Sequence, residues 1–301
     1  AATGPEIFAY GLAAVVVLAL LTSPILSLID SSILHMLGDE KERYGRVRLW
    51  GTIGWGLSAP VVGEVLERRG LEWMFWAYAG CMLVSLLLVR SLDFEATVER
   101  TPFWVGVRGM LHDRAWWLVL SDAFIAAFGL AAQVNYLGLI LQNMGAPTGY
   151  LGIAITLSTL FELPILFGSS YLLARRSNRS VLFFAVAVTG LRCFLYAIVA
   201  TPGQVLAIQL LHGLTYSLIL IAGVNFAAKH APPGLSATAQ GLFNAVQGGL
   251  GGAAGNLVCG LLLDRFGVSG MMASLGWLTT GALALIVFFE VRGSRRAALA
   301  T

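Results

Sequence analysis

Apolar residues run along this chain in long blocks separated by short polar connections. Ala9 to Ile29 holds no charged side chain, and neither do Ala115 to Ser121 and Ala123 to Phe161, on either side of Asp122. A helix needs about 20 mainly apolar residues to cross roughly 30 Å of hydrocarbon. Backbone groups inside lipid must find partners within their own segment, so such blocks are helices. Nothing in them alternates with the period of two that an outer-membrane barrel strand requires. The pattern predicts nine spanning segments, near 7–36, 50–67, 72–92, 115–141, 148–174, 180–200, 203–228, 236–263 and 268–291. The expected fold class is all-α integral membrane.

The longest connection, 93–114, is the expected boundary between two bundles: 1–92 before it, and 115–301, six helices and a tail, after it. Within it Phe103, Trp104, Val107, Met110 and Leu111 recur at helical spacing, with Arg108 and Arg114 among them. That spacing suits a short helix on the membrane surface; a plain linker fits the same residues equally well.

Composition agrees with the pattern. The 301 residues are 57% hydrophobic and 12% charged, about half the roughly 25% charge of a soluble domain. The net charge of +3 matters less than its placement. Alternate connections carry Lys41, Arg43, Arg46 and Arg48, then Arg90, Arg100, Arg108 and Arg114, then Arg175, Arg176 and Arg179, then Lys229, then Arg292, Arg295 and Arg296. The opposite side has only Arg68, Arg69 and Arg265. Basic residues stay in the cytoplasm, so the C-terminus is expected there, in the plasma membrane, and the N-terminus outside. No basic run suits nucleic acid. Cys81, Cys193 and Cys259 lie in apolar blocks without CxxC spacing, which argues against a disulfide framework or a metal site. A monomer in the lipid bilayer, with no cofactor, is the expected form.

An internal repeat is legible. Gly63-Glu-Val-Leu-Glu-Arg-Arg-Gly70 ends the second segment, and Gly260-Leu-Leu-Leu-Asp-Arg-Phe-Gly267 ends the eighth. Transporters are often built from such repeats. Two six-helix halves would make twelve spans, so the first three are expected to be missing from this chain.

Ionisable residues deep in a span are costly and are candidates for function. Arg192 and Glu162 are the clearest, followed by His212, Asp30 and Asp122. Arg192 keeps its proton and needs a partner or water. Glu162, between Phe161 and Leu163 and close to Pro164, can take and release a proton if burial and a nearby cation oppose each other. Structural pairing between helices is the plainer reading of these three. Asp30 follows Pro24, which should kink its helix; a solvated helix end is its plainer reading. Asp122 reads best as a carboxylate near a helix start. Gly248/Gly252 and Gly251/Gly255 read as close-packing faces.

The string Tyr44-Gly-Arg-Val-Arg-Leu-Trp-Gly-Thr-Ile-Gly-Trp55 is the most distinctive in the chain. It resembles the loop between the fourth and fifth helices of the oligosaccharide/proton symporter branch of the major facilitator superfamily. That branch includes lactose permease-like and phenylpropionate permease-like transporters. Asp30 and Arg48, 18 apart, are similar in spacing to the acid and arginine that hold the sugar there, and Trp55 falls where a tryptophan stacks on it. Glu162, Arg192 and His212, 30 and 20 apart, look like the second-half site of the same branch. The resemblance implies a major facilitator fold and a secondary transporter of a small organic solute, coupled to protons by symport. Its site would combine Asp30, Arg48 and Trp55 with Glu162, Arg192 and His212, with Glu162 the first choice as proton carrier and Asp30 the second. Thr215 stands where lactose permease has a proton-carrying glutamate, so galactoside specificity does not follow. The alternatives are a non-transporting receptor or scaffold, a fragment without transport activity, or an intramembrane enzyme, for which no nucleophile–base pair or metal cluster is evident.

Overall fold

The computed structural model describes residues 4–70, 72–91, 101–147 and 149–299, and all regular structure among them is helical. The first part comprises α1 (Gly4–Leu37), a 3-10 turn (Lys41–Arg43), α2 (Tyr44–Arg69) and α3 (Trp73–Arg90). A short helix, α4 (Phe103–His112), leads to α5 (Arg114–Asn135), α6 (Leu137–Asn143), α7 (Gly149–Phe167), α8 (Ser169–Arg175) and α9 (Asn178–Ile198). Then come α10 (Pro202–Gln209), a π turn (Gly213–Ser217), α11 (Leu218–His230), α12 (Ser236–Asn244), a π stretch (Ala245–Gly251) and α13 (Gly252–Leu299).

Seven helices among the described residues are long and apolar enough to cross a membrane, against the nine segments expected. Two features account for the difference. α2 is missing from the seven, and its sequence carries Arg46, Arg48, Glu64, Glu67, Arg68 and Arg69. Ser236–Glu290 is one run of 55 residues, which as a straight helix would extend about 80 Å. Gly267, at φ 66° and ψ −173°, breaks it. Gly70, at φ 92°, ends α2 in the same left-handed region. Both closing glycines of the sequence repeat therefore occupy a conformation that other residues adopt only with strain. Smaller differences lie at Tyr136, which ends α5, and at Gly168, which separates α7 from α8. α1 continues through Pro24.

Side-chain caps set several helix starts. Asp113 accepts from the Ala115 backbone N–H at 2.8 Å to open α5, and Ser177 accepts from Ser180 at 3.1 Å to open α9. Pro202 follows Thr201, and the Gln204 side chain accepts from the Thr201 N–H at 3.2 Å. Such caps satisfy backbone donors that a helix end leaves unpaired.

The core lies among α5, α9, α11, α12 and α13, where Trp116, Leu182, Ile219, Ile221 and Phe243 are buried. Gly251 and Gly255 meet α5 closely: a Cβ there would sit 2.8 and 2.7 Å from the Phe124 and Phe128 carbonyl oxygens. The expected second face, Gly248/Gly252, makes no such approach, because Gly248 points into open space. α1 packs against α12, and α2 against α7 and α8. α3 buries none of its residues and turns Phe75 and Trp76 outward.

The connection 93–114 is described only from residue 101, so the expectations for 92–100, Arg100 included, lie outside the described residues. The rest contains a short helix, one of the two readings that its spacing left open. Gly106 and Met110 face inward, with Gly106 against Leu235, while Phe103, Trp104 and Val105 face outward.

Candidate substrate and coupling site

Glu162 sits on α7, Arg192 on α9, and His212 between α10 and the π turn. Tertiary packing brings the three together. His212 Nε2 lies 3.4 Å from Glu162 Oε1, and its Nδ1 lies 3.4 Å from Arg192 Nη1. Arg192, fully buried, donates to Thr215 Oγ1 at 2.8 Å and to Gln209 Oε1 at 2.9 Å. Tyr196 donates to the same Gln209 oxygen at 3.0 Å. A guanidinium only donates. An imidazole beside it must therefore present a lone pair at Nδ1, which puts its hydrogen on Nε2, toward Glu162.

The π turn after His212 packs closely on α7 because it begins with a glycine. Gly213 lies flush against α7, where a Cβ would stand 3.3 Å from Glu162 Cα and closer still to the Phe161 carbonyl. Single π turns inside helices are frequent at functional sites.

On the other side, Asp30 is buried rather than at a solvated helix end, and Tyr44 donates to its Oδ1 at 2.6 Å. Asp30 Oδ2 has no hydrogen-bond partner among the described residues. Arg48, one turn after Tyr44, lies within electrostatic reach of Asp30. Tyr216 joins the two groups. Its ring stacks on His212, centroids 5.7 Å apart and planes 12° apart, while its hydroxyl faces Arg48. Asp30 and Glu162 both lie within electrostatic range of that hydroxyl.

Trp55 is the exception. It lies two turns beyond Arg48 on the same face of α2 and is 66% exposed.

Sequence reasoning missed Gln209, Tyr196 and Tyr216. A signal existed for two of them: Gln209, His212 and Tyr216 recur at spacings of three and four in an apolar segment, which places them on one helix face.

Asp122 needs correction. α5 starts at Arg114, so Asp122 lies in its third turn, beyond the influence of the helix end. It is buried and faces Arg179 Nε at 3.7 Å, and Arg179 also pairs with Glu290. The residue at the helix start is Asp113.

The turn between α1 and α2 is tied to α8 and α11. Lys41 Nζ donates to the Ala228 carbonyl at 3.2 Å, and Ser170 Oγ donates to the Glu42 carbonyl at 3.0 Å. Glu42 forms an ion pair with Lys229, which holds its carboxyl below the usual carboxylate range, chiefly through the hydrogen bond from that ammonium.

Residues 4–274, nearly the whole chain, match the MFS_1 like family. The chain belongs to that family. Among the relatives of this MFS_1-like chain is the maltose permease of Geobacillus stearothermophilus, 26% identical over 274 residues, which cover 90% of this chain and 70% of the permease. The nucleoside permease NupG of Escherichia coli is 24% identical over 276 residues, 81% of this chain and 63% of NupG. A Xenopus laevis protein, major facilitator superfamily domain-containing protein 6-like protein A, is 23% identical over 279 residues. Those residues are 88% of this chain but 46% of the frog protein, so the chain spans under half the length of that relative. The MFS_1-like chain is thus a multi-pass membrane protein of a transporter superfamily, and its relatives with stated activities are permeases rather than enzymes.

Proposed function

We propose that this protein carries a small organic solute across the plasma membrane by alternating access, in symport with protons. The observation that carries the reading is the placement of His212 between Glu162 and Arg192 inside apolar spans. A carboxylate there accepts the Nε2 hydrogen of His212. Once protonated it no longer competes for that hydrogen, and a solute hydroxyl can take its place. Glu162 is the first candidate for the proton carrier and Asp30 the second.

In this reading Asp30, Arg48 and Trp55 bind solute from residues 1–92, and Glu162, Arg192 and His212 bind it from residues 115–301. The segment 93–114 connects the two sides. Solute sites of such transporters lie at the interface of the two halves, near the middle of the membrane. The C-terminus faces the cytoplasm, as the distribution of Lys and Arg favours. The ties from Lys41 and Glu42 to α11 then close the cytoplasmic side and must open in the cycle.

The relatives named for maltose and for nucleosides support a solute with a sugar ring. Buried carboxylates accept from vicinal hydroxyls, and Trp55 offers a flat apolar face. One proton moving through 100 mV supplies about 2.3 kcal/mol. At about 1.4 kcal/mol per decade that supports roughly 40-fold accumulation.

The test is uptake of radiolabelled maltose and uridine into proteoliposomes under an acid-outside gradient. Accumulation that a protonophore abolishes, and that Glu162→Gln and Arg192→Lys each impair, supports the reading. Uptake unchanged in both variants removes the central site, and uptake that persists without a gradient removes proton coupling.

A further inference from the structure

A cavity of about 460 Å³ lies between the start of α5, the α8–α9 turn and the end of α11. It shares no residue with the Glu162–Arg192–His212 site. It sits at the Lys- and Arg-rich end of the bundle, where Lys229 meets Glu42. One wall is apolar and includes Leu118, Val119 and Phe226. The rest carries four basic side chains from two parts of the chain: Arg176 and Arg179 at the α8–α9 turn, and Lys229 and His230 at the end of α11.

These four differ in how far they are already neutralised. Arg179 is held by Asp122 and Glu290, and Lys229 by Glu42. No ion pair to an acid involves Arg176 or His230 among the described residues. The His230 ring lies flat on Phe226, centroids 4.1 Å apart, and its Nδ1 is 3.0 Å from the Phe226 carbonyl. A protonated ring donates Nδ1–H there and keeps Nε2–H to give to a phosphate oxygen. The cavity therefore combines unneutralised positive charge with an apolar wall.

A tryptophan marks its depth. Trp117, on the α5 turn that forms the apolar wall, is outward-facing and donates from Nε1 to the Leu111 carbonyl at 2.6 Å. Tryptophans with one polar tie and an apolar ring collect at headgroup level.

We propose that this cavity binds the phosphate of an anionic phospholipid, with Arg176, Lys229 and His230 as its donors. Arginine engages phosphate through paired donors, and lysine acts as a point charge. Basic pockets between spanning helices suit such headgroups. A soluble phosphate would use the same donors but leave the apolar wall in water, whereas a lipid lays its acyl chain along Leu118 and Val119. Lys229 is shared: a bound phosphate competes with Glu42 for one ammonium, so lipid occupancy weakens the tie between the α1–α2 turn and α11.

The experiment compares the full chain in phosphatidylcholine nanodiscs with and without phosphatidylglycerol, read by melting temperature and by native mass spectrometry. A ligand that binds only the folded state raises the melting temperature. Phosphatidylglycerol is expected to raise it by several degrees and to remain bound at one lipid per chain. Arg176→Gln combined with His230→Gln loses most of that shift and the retained lipid, while Arg43→Gln, on an exposed side chain, keeps both. Glu42→Gln frees Lys229 and enlarges the shift. If inorganic phosphate alone in phosphatidylcholine reproduces the effect, the phosphate site stands and its source is a soluble anion. Full retention of shift and lipid in the Arg176/His230 double variant, or equal loss in Arg43→Gln, overturns the proposal.

Discussion

His212 stands between Glu162 and Arg192, with one ring nitrogen 3.4 Å from each. Every strong partner of Arg192 in this arrangement is neutral: Gln209, Thr215 and the Nδ1 lone pair of His212. Arg192→Lys keeps the charge but cannot reach all three. Hydrogen bonds to charged groups contribute about 1.5–3 kcal/mol each, so this variant should melt lower by the loss of at least one. Its uptake of maltose or uridine should fall at least about tenfold, since one such bond is worth a decade or more. Melting and initial-rate uptake on the same preparation check this.

Tyr216→Phe separates packing from polarity. Phenylalanine keeps the stack on His212 but removes the hydroxyl that faces Arg48. The melting temperature should stay close to that of the parent. Gradient-driven accumulation should drop, because the polar link between the Asp30 and Glu162 sides is lost. Tyr216→Leu should lower both.

Gly213→Ala tests the close approach of the π turn to α7. The added methyl group would meet the Phe161 carbonyl and Glu162 Cα. Overpacking of this kind costs roughly 1–3 kcal/mol. The variant should melt lower and lose uptake together, because the helices must part and Glu162 then leaves His212.

Asp122 and Arg179 should behave as a coupled pair. Removing one partner of a buried pair costs about 3–5 kcal/mol, and Asp122 is buried while Arg179 is only partly so. Arg179→Gln should therefore be destabilising toward the lower end of that range. Adding Asp122→Asn should restore part of the loss. A thermal double-mutant cycle measures the coupling, and simple additivity would refute it.

The Glu42–Lys229 pair predicts a pH dependence. The folded Glu42 carboxyl titrates below its ordinary value of 4.5. Its contribution to stability is thus fully present above the ordinary carboxylate range and lost as pH falls through the lowered folded value. The melting difference between the parent and Glu42→Gln should be constant at neutral and mildly acidic pH and shrink only below 4.5. Both side chains are partly exposed, so the difference should be small, about 0.2–1 kcal/mol.

Much of the architecture was legible because the membrane imposes simple rules. Blocks of about 20 apolar residues must be helical, and the order of helices along the chain follows from them. The repeat was legible for a related reason. Gly70 and Gly267 close equivalent strings, and both occupy a left-handed conformation that favours glycine. Candidate polar residues stood out against an apolar background, which is how Asp30, Glu162, Arg192 and His212 could be named.

Other features were decided only by tertiary structure. Charge near an expected helix start suggested a dipole role for Asp122, but it lies in the third turn of α5, too deep for the helix end to act on it, and Arg179, from a distant segment and itself paired with Glu290, faces it. Tyr216, Gln209 and Tyr196 are ordinary polar residues until α9 and the π turn fold against each other. Which side chains meet depends on how helices approach and rotate, and the π turn changes that rotation locally. Periodicity along one chain carries no information on contacts between segments. The sequence alone therefore determined that the chain is built of apolar helices and which polar residues stand out in them; packing determined that His212 lies between Glu162 and Arg192, and that Tyr216 connects them toward Arg48.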